Sequence, residues 1–598
     1  MPTNTRFIYI VFITVFLFCG LWTAFQIEDP SAQFAMDHAQ NPAWQDIASN
    51  KRRAILDKIP REWILSQSDL DEGRERCTLT DGFLERLLDP ETRHITGLDS
   101  SQILESVRNR TFTAVQVVRS FCKRSAFAHQ LNNNLLEIMF SSALKKADDL
   151  DRYLEEHGEV IGPLHGLPVS MKDQFHVKDA ETSMAYVGWI GTFEGHTDTG
   201  KEGKVESELV RELVELGAVP IVKTSLVQTL WYAETNNNII GYTWNPVKQT
   251  LSCGGSSGGQ GALLALRGTT IGFGTDIGGS VSIPAAFNGI YSIKPSHGRI
   301  SYKDTANSSP GQAIIPSVVG IMGDSISSLR LTFRSLLATS PWLHDPEVLR
   351  MPWAAEDETF AKISFGFFEN DGVVAPHPPI ARALRMVKEA IENSGHKTVP
   401  WSPPAHNESA AIHSSFMDAD GGADVFEQLK LSGEPLIPEL QPEFGDEPAP
   451  PTPLLEFYNN TLRLKKYRER YQSYWESTSP DTDTGRPVDA VILPAAPHAA
   501  VIPGKWIHYD YATIANTLDY AAIIIPVTNA DKDLDKFDKN YSPMTEKDRE
   551  NWQAYDPDLY HGAPASIQIL GRRHEEQKLL SVAQAVVDAL KKHKQQGH

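Results

Sequence analysis

The sequence predicts an α/β protein in which a central mixed, twisted sheet is surrounded by helices. From about Leu98 onward, helix-patterned stretches alternate with short runs rich in β-branched residues. A glycine-dense stretch, Gly254–Gly298, lies in the middle of the chain, where tight turns flank a short Ala/Leu-rich helix. The 598 residues, 41% hydrophobic and 22% charged, supply ample apolar material for a large buried core, in one domain or several.

The individual elements follow from residue periodicity. Apolar residues at helical spacing indicate helices, and short apolar runs bounded by turn residues indicate strands. The predicted helices are Asp46–Ser66, Ala114–Ala128, Ser141–His157, Gly261–Arg267 and Pro379–Ser394, and the predicted strands are Val169–Met171, Val219–Val222 and Lys362–Phe368. We expect Lys51, Arg52 and Arg53 on a solvated helix face, and the proline-rich, acidic segment Glu434–Pro453 as a surface excursion.

The first residues differ from the rest of the chain. Residues Phe7–Phe25 carry no charge, and a run of this length is about what a helix needs to cross a bilayer. Bulky residues follow where a signal peptide has small ones, which favours a membrane anchor over a cleaved signal. Arg6 before the span, with Glu28 and Asp29 after it, places the N-terminus in the cytosol and the remaining chain in the lumen of the secretory pathway.

Composition excludes several kinds of partner. The net charge of −20 opposes a surface built to neutralise phosphate, so we expect no nucleic-acid partner. Four cysteines are too few for a disulfide scaffold, and none pairs with another at the spacing of zinc ligands. We therefore expect no metal site.

Three segments carry the candidate chemistry: GLPVSMKD at 166–173, CGGSSGG at 253–259 and GTDIGGS at 274–280. The run Asp276–Ser280 lets the backbone turn so that successive N–H groups point at one spot, which is what an oxyanion hole requires. Ser280 then lies beside the N–H groups that would bind the oxyanion, and it is the candidate nucleophile.

A serine hydroxyl needs a base that removes its proton in the transition state. Lys172 follows the apolar run Leu164–Met171, and desolvation there would lower its pKa until its free amine accepts a proton. His165 and His297 are rival bases, but their contexts are better explained as structural.

Together the three segments resemble the amidase signature family, whose triad is a lysine, a serine held by a cis peptide bond and a nucleophilic serine. In that family the relay serine lies 24 residues before the nucleophile, which is the separation of Ser256 from Ser280. The resemblance therefore implies Lys172 as base, Ser256 as relay and Ser280 as nucleophile, with a cis bond between Gly255 and Ser256.

The resemblance also implies supporting roles. Backbone N–H groups of an oxyanion hole fall on Ile277, Gly278, Gly279 and Ser280, and a substrate contact falls on Leu230. Ser257, Thr275 and Asp276 are expected to support the site through hydrogen bonds.

The likeness covers roughly residues 45 to 590 and is greatest to the fungal acetamidase branch. It includes the segments Ile59–Trp63, Phe121–Arg124, Gly162–Gly166 and Lys294–Arg299. Fatty acid amide hydrolase is a more distant relative that shares an N-terminal membrane segment. The expected function is hydrolysis of a carboxamide, acetamide-like or otherwise small or lipophilic, to a carboxylate and ammonia or an amine, without a cofactor. The sequence is compatible with a homodimer and with a monomer.

Three positions depart from the family pattern. Ser282 stands where the family has an arginine, Val227 where it has a proline and Ser292 where it has a glycine. If the arginine pairs with the aspartate at position 276, this chain leaves Asp276 to find other donors, and the loop is looser or reshaped for another substrate.

Three alternatives compete with this interpretation. Residues 254–258 also satisfy G-x-S-x-G, which would make Ser256 the nucleophile of an α/β-hydrolase-type esterase and requires a strand just before it. Loss of the arginine at Ser282 fits a catalytically impaired, membrane-tethered homologue. A glutamyl-tRNA amidotransferase subunit shares the signature, but the acidic net charge opposes a tRNA complex.

The predicted organisation has three parts. Residues 1–28 are an N-terminal membrane anchor or signal segment, 29–95 a helical region and linker, and 96–595 the catalytic domain. In the lumenal topology the sequons at Asn109, Asn407 and Asn459 are glycosylation acceptors, although polar surface explains them equally well.

Overall fold

A mixed sheet of eleven strands runs through the computed structural model of the protein, which describes residues 43–355 and 360–596. In chain order the strands are β1 (Leu135–Ile138), β2 (Pro168–Lys172), β3 (Val219–Thr224), β4 (Ile271–Asp276), β5 (Tyr291–Lys294), β6 (Val318–Gly323), β7 (Ser364–Phe367), β8 (Lys397–Pro400), β9 (Ala490–Pro494), β10 (Ala521–Asn529) and β11 (Pro564–Gly571). Their spatial order is β1-β3-β2-β4-β6-β5-β10-β11-β9-β7-β8.

Twenty α-helices of the described residues surround this sheet. They are α1 (Trp44–Asp57), α2 (Gln67–Glu75), α3 (Phe83–Leu87), α4 (Pro90–Thr96), α5 (Ser100–Arg108), α6 (Ala114–Asn132), α7 (Phe140–His157), α8 (Glu208–Glu215), α9 (Gly258–Ala265), α10 (Ser282–Asn288), α11 (Ile326–Ala338), α12 (Pro378–Asn393), α13 (His406–Met417), α14 (Ala423–Lys430), α15 (Gln441–Phe444), α16 (Leu454–Ser477), α17 (Asp510–Thr517), α18 (Glu546–Gln553), α19 (Pro557–Tyr560) and α20 (Glu576–Gln595).

The part of the sheet that positions the site combines parallel and antiparallel pairs. Strand β2 pairs in parallel with β3 and β4, whereas β4 pairs antiparallel with β6. Every residue of β2 and β4 is buried, as expected for strands covered by helices on both faces. Because β2 and β4 are parallel, their carboxyl ends reach the same edge of the sheet. The predicted α/β class with a central mixed sheet surrounded by helices is confirmed.

The predicted elements all have counterparts, with shifted boundaries. Helix α6 begins where expected, because the Thr113 side chain accepts a hydrogen bond from the Gln116 backbone and forms a capping box. The helix predicted for Asp46–Ser66 ends at Asp57, and a single 3₁₀ turn, Arg61–Trp63, follows Pro60. A proline disfavours helical backbone in the residue before it, which explains the early end.

Two sequence-based placements are wrong. Lys51 is buried rather than solvated, and its ammonium pairs with Glu137 at 2.8 Å and Glu181 at 2.5 Å. The first part of the predicted surface excursion packs on the core: the Glu434 carboxylate is buried and accepts hydrogen bonds from Val187 N and Gln228 Nε2. In both places a polar group is buried because a partner distant in sequence satisfies it.

The predicted membrane span, Phe7–Phe25, lies outside the described residues. Within residues 43–355 and 360–596, no helix combines the length and apolar character that crossing a bilayer requires. Residues Trp44–His598 form one compact unit. The division at residue 95 and the glycosylation of the three sequons stay predictions; Asn109, Asn407 and Asn459 are all exposed.

Candidate active site

The three motifs meet at the carboxyl ends of β2 and β4. Lys172 is the last residue of β2, and Thr275 and Asp276 are the last residues of β4. Ser256 and Ser257 immediately precede helix α9, and the peptide bond between Gly255 and Ser256 is cis, as the family resemblance implied. The loop from Ile277 to Val281 joins β4 to α10 and carries Ser280.

A buried hydrogen-bonded chain links the two strands to Ser256. Lys172 Nζ lies 2.7 Å from Ser256 Oγ and 3.0 Å from Thr275 Oγ1. Thr275 Oγ1 in turn donates to Gln174 Oε1 at 2.5 Å. Ser256 is 1% exposed and Lys172 is fully buried, so water competes with none of these contacts.

The surroundings of Lys172 favour its neutral form. Complete burial lowers its pKa well below the ordinary value, and the negative charge of Asp276 opposes this only in part. No described carboxylate lies within ion-pair distance of Lys172, whereas Lys223, another buried lysine, pairs with Asp173 at 2.8 Å. Both hydrogen-bond partners of Lys172 are hydroxyl groups, whereas Lys223 also has a carboxylate and a backbone carbonyl among its partners.

The loop of residues 277–280 presents backbone N–H groups beside Ser280. The N–H groups of Ile277, Gly278 and Ser280 donate to no other described residue, but the Gly279 N–H donates to Asp276 Oδ1 at 2.8 Å. Of the four expected oxyanion donors, Gly279 is therefore already engaged. Its backbone has φ +108°, and a Cβ there would lie 2.6 Å from the Ala512 Cβ, so only glycine fits.

Asp276 finds donors despite the serine at position 282. Its carboxylate accepts from the backbone of Gly279, Val281 at 2.7 Å and Ser282 at 3.3 Å. Asn516 Nδ2, on helix α17, donates to Asp276 Oδ1 at 2.9 Å. The loop is thus held by neutral donors, which are the other donors that Asp276 needs in the absence of the arginine.

Ser257, the third expected support residue, contacts both Ser280 and Thr275. The Ser257 N–H donates to the Ser280 carbonyl at 3.2 Å, and Ser257 Oγ donates to the Thr275 carbonyl at 3.4 Å. These bonds tie the glycine-rich turn before α9 to the loop that follows β4.

Two residues that the sequence did not single out also hold the loop. His413, buried on helix α13, lies with Nε2 2.8 Å from the Ile277 carbonyl and therefore donates to it. Burial lowers the pKa of His413, which favours the neutral ring. Asn516 is the second such residue. Neither has a local sequence signal, because each reaches the loop from a helix far along the chain.

Two cavities of different size meet at Ser280. The larger has a volume of about 300 Å³, and its wall combines aromatic and aliphatic side chains, such as Trp231 and Ile283, with polar and charged ones, such as His413 and Asp418. The smaller has a volume of about 20 Å³ and includes Ser256 and Thr275 in its wall. Leu230, the expected substrate contact, lines both cavities, and both Leu230 and Thr229 have positive φ.

The esterase alternative does not fit the backbone around Ser256. A nucleophile elbow requires a strand that leads directly into the serine. Between the end of β3 at Thr224 and the start of β4 at Ile271, a stretch described throughout, the structure has no strand, only an isolated bridge between Trp244 and Ser252.

Comparisons with known proteins agree with this geometry. The sequence model of the Amidase family matches residues 116–580. The acetamidase of Aspergillus oryzae is 40% identical over 551 residues, covering 91% of this chain and 98% of the relative, and the acetamidase of Emericella nidulans is 38% identical over the same shares. Among solved structures, fatty acid amide hydrolase superposes with a TM-score of 0.85 at 28% identity, covering 93% of this chain and 96% of that one.

Fold and relatives together define a hydrolase that acts on amides. The chain belongs to the amidase signature family.

Proposed function

We propose that this protein hydrolyses carboxamides through an acyl-Ser280 intermediate, with Ser256 and Lys172 as its proton relay. The observation that carries the proposal is the buried contact of 2.7 Å between Lys172 Nζ and Ser256 Oγ, at a lysine with no ion-pair partner among the described residues. A neutral amine at this position is a base that a serine hydroxyl can use.

In the acylation step, Ser280 Oγ attacks the amide carbon while its proton passes to Ser256 Oγ. The Ser256 proton passes at the same time to Lys172 Nζ, which becomes an ammonium. The Ser280 hydroxyl makes no hydrogen bond to another described residue, so it is free to approach both substrate and relay. Catalytic hydrogen bonds often tighten only when substrate binds.

The tetrahedral oxyanion rests on backbone N–H groups of Ile277, Gly278 and Ser280. Donors that point at the developing charge and need no rearrangement supply much of the rate in acyl transfer. Two hydrogen bonds hold this loop in place. Asp276 accepts one from the Gly279 N–H, and His413 donates the other to the Ile277 carbonyl.

Collapse of the tetrahedral intermediate breaks the carbon–nitrogen bond. Lys172 returns its proton through Ser256 to the leaving nitrogen, which departs as ammonia or an amine. Water then attacks the acyl-Ser280 ester, passing one proton through Ser256 to Lys172, and Ser280 recovers a proton as the carboxylic acid leaves. The relay ends the cycle in its starting state.

Substrates range from small to lipophilic carboxamides. The named acetamidase relatives suggest a small acyl group, whereas the structural similarity to fatty acid amide hydrolase suggests a lipophilic one. The larger cavity, with Trp231, Ile283 and Trp506 in its wall, accommodates an apolar acyl group of moderate size. The membrane anchor at residues 7–25 stays part of the proposal, on the strength of its sequence alone.

Mutation of the two serines tests the proposal. Ser280→Ala should abolish ammonia release from a panel of primary amides and labelling by a fluorophosphonate, while Ser415→Ala, a matched change on helix α13 outside both cavities, should leave both unchanged. Labelling that persists in Ser280→Ala and disappears in Ser256→Ala would assign the nucleophile to Ser256 instead.

A further inference from the structure

A buried glutamine, Gln174, lies behind the hydrogen bonds of Lys172. It is the second residue after the end of β2, and its side chain is fully buried. Gln174 Oε1 accepts a hydrogen bond from Thr275 Oγ1 at 2.5 Å. On its other side, Gln174 Nε2 lies 2.8 Å from the Ala306 carbonyl and 3.2 Å from the Tyr302 hydroxyl. The Ala306 N–H also donates to the Gln174 carbonyl at 3.0 Å, so backbone and side chain are both held.

The Ala306 carbonyl decides which way the Gln174 amide points. A backbone carbonyl only accepts hydrogen bonds, so the amide atom that lies 2.8 Å from it must be the NH₂ group. The amide oxygen therefore faces Thr275 Oγ1. Because an amide oxygen also only accepts, the single hydroxyl hydrogen of Thr275 is committed to Gln174.

This commitment determines what Thr275 offers to Lys172. With its hydrogen used, the Thr275 oxygen can only accept from Lys172 Nζ, which lies 3.0 Å away. A neutral amine has two N–H hydrogens and one lone pair, and the lone pair is what takes up a proton. A hydroxyl that donated to Lys172 would occupy that lone pair. Because Thr275 accepts instead, the lone pair stays available to Ser256 Oγ, at 2.7 Å.

The same arrangement suits Lys172 after it has taken the proton. The ammonium has three N–H hydrogens and no lone pair, so it needs acceptors. Thr275 Oγ1 is already an acceptor, and its hydroxyl does not have to rotate as the charge forms. Groups that are oriented for the developing charge before the reaction cost no reorganisation in the transition state.

We propose that Gln174 is a positioning residue: by accepting the Thr275 hydrogen, it keeps the lone pair of the base, Lys172, free for the relay hydroxyl. The inference rests on the proposed function, because it takes Lys172 as the base. Among the described residues, the side-chain hydrogen bonds of Gln174 go to Thr275, Tyr302 and Ala306. Its influence on the relay therefore passes through Thr275.

The variant Gln174→Met tests the inference, because methionine is as long as glutamine but has no amide group. The Thr275 hydrogen can then turn to the Lys172 lone pair, and this hydrogen bond must break before the base acts. We expect kcat to fall by roughly 3- to 10-fold. KM should stay within about twofold of wild type, since Gln174 is outside the walls of both cavities.

Gln130→Met is the matched control. Gln130, on α6, also donates through its amide to backbone carbonyls, and its replacement should change neither kcat nor KM. A folded Gln174→Met protein whose kcat is within about twofold of wild type would overturn the inference.

Removal of the Thr275 hydroxyl should make Gln174 unimportant. In a Thr275→Val background no hydroxyl competes for the lone pair, so adding Gln174→Met should change kcat by less than about twofold. The same 3- to 10-fold loss in both backgrounds would show that Gln174 acts independently of Thr275, and would overturn the inference.

Thr275→Val alone gives an answer even if Gln174→Met does not fold. The ammonium of Lys172 loses an acceptor in this variant, so kcat should fall by roughly 2- to 10-fold. A kcat equal to or above that of wild type would show that the Thr275 hydroxyl does not act as an acceptor for Lys172, which would overturn the inference.

The pH profile separates positioning from a purely structural role. A Thr275 hydroxyl that donates to Lys172 favours the neutral amine, so Gln174→Met should lower the pKa of Lys172 further. The fall of kcat/KM at low pH should then occur roughly 0.5–1 pH unit lower than in wild type. Asp276, the charge that acts on Lys172, is the same in every variant. A lower kcat with an unmoved pH profile would indicate structural damage alone and would overturn the inference.

Failure of the proposed function itself would look different. Lys172→Met would then keep most of the wild-type rate, and no fluorophosphonate would label Ser280. If only the role of Gln174 is wrong, Lys172→Met loses its activity and Ser280 is still labelled in Gln174→Met.

Discussion

Replacing Lys172 by methionine should lower the activity of this protein at every pH, and should change its free energy of unfolding by an amount that depends on pH. The substitution removes the proposed base, so kcat/KM for a primary amide should fall by roughly 10²–10⁴, the range that a positioned general base supplies. Residual activity above the uncatalysed rate should remain, because the backbone donors of the oxyanion loop are untouched. Lys505→Met, at an exposed lysine, is the matched control and should change neither property.

The pH dependence of activity follows from the lowered pKa of Lys172. A base must be deprotonated to act, so wild-type kcat/KM should fall as the pH drops through the lowered pKa and should level off above it. Because that pKa lies well below the ordinary lysine value of about 10.4, the plateau is reached far below pH 10. In the Lys172→Met variant, kcat/KM should not show this fall at low pH.

The pH dependence of stability has a definite sign. The unfolded chain binds a proton at Lys172 up to about pH 10.4, whereas the folded chain releases it at the lowered pKa. Between these two values the unfolded state holds more protons, so the free energy of unfolding should rise with pH, by about 1.4 kcal/mol per pH unit. Lys172→Met lacks this contribution, and its stability relative to wild type should therefore decline as the pH is raised from 7 to 10.

Two assays check this prediction: initial rates of ammonia release across pH, and urea unfolding of both proteins at pH 7, 8.5 and 10. A Lys172→Met enzyme within a few-fold of wild type at neutral pH would refute the role of Lys172 as base. A stability difference that does not change with pH would refute its neutral state in the folded protein.

Three further predictions concern the loop and the N-terminus. Asn516→Ala should destabilise the protein by about 1.5–3 kcal/mol in urea unfolding, since it removes a hydrogen bond to the buried Asp276 carboxylate, and Ser282→Arg in that background should restore part of the loss. His413→Phe should lower kcat by roughly 2- to 10-fold by releasing the Ile277 carbonyl, and His413→Gln should recover much of it, which steady-state kinetics would measure. Removal of residues 1–28 should yield active enzyme that no longer sediments with membranes after a carbonate wash; persistent sedimentation would argue against a single N-terminal anchor.

The sequence predicted those parts of the site that are local in the chain. The three motifs end strands or begin helices, and the side chains of Lys172 and Thr275 meet because β2 and β4 are adjacent parallel strands. The family resemblance implied Ser256 as the relay between Lys172 and Ser280, and the structure brings the side chains of Lys172 and Ser256 into contact.

Contacts between distant segments could not be predicted in this way. His413 and Asn516 reach the loop of residues 277–280 from helices α13 and α17, and their positions depend on how those helices pack. The helical pattern of residues 46–66 predicts a solvated face for Lys51, but its acidic partners belong to β1 and to a loop after β2. Periodicity within one segment carries no information about such partners.

Identification of the acylated residue tests the central claim most directly. An activated ester such as p-nitrophenyl hexanoate would be mixed with the enzyme, quenched in acid within the first turnover and digested with trypsin. Cleavage after Arg267 separates Ser256, in peptide 249–267, from Ser280, in peptide 268–299. We expect the hexanoyl mass on peptide 268–299 alone, absent from Ser280→Ala; a hexanoyl group on peptide 249–267 would contradict the proposed mechanism.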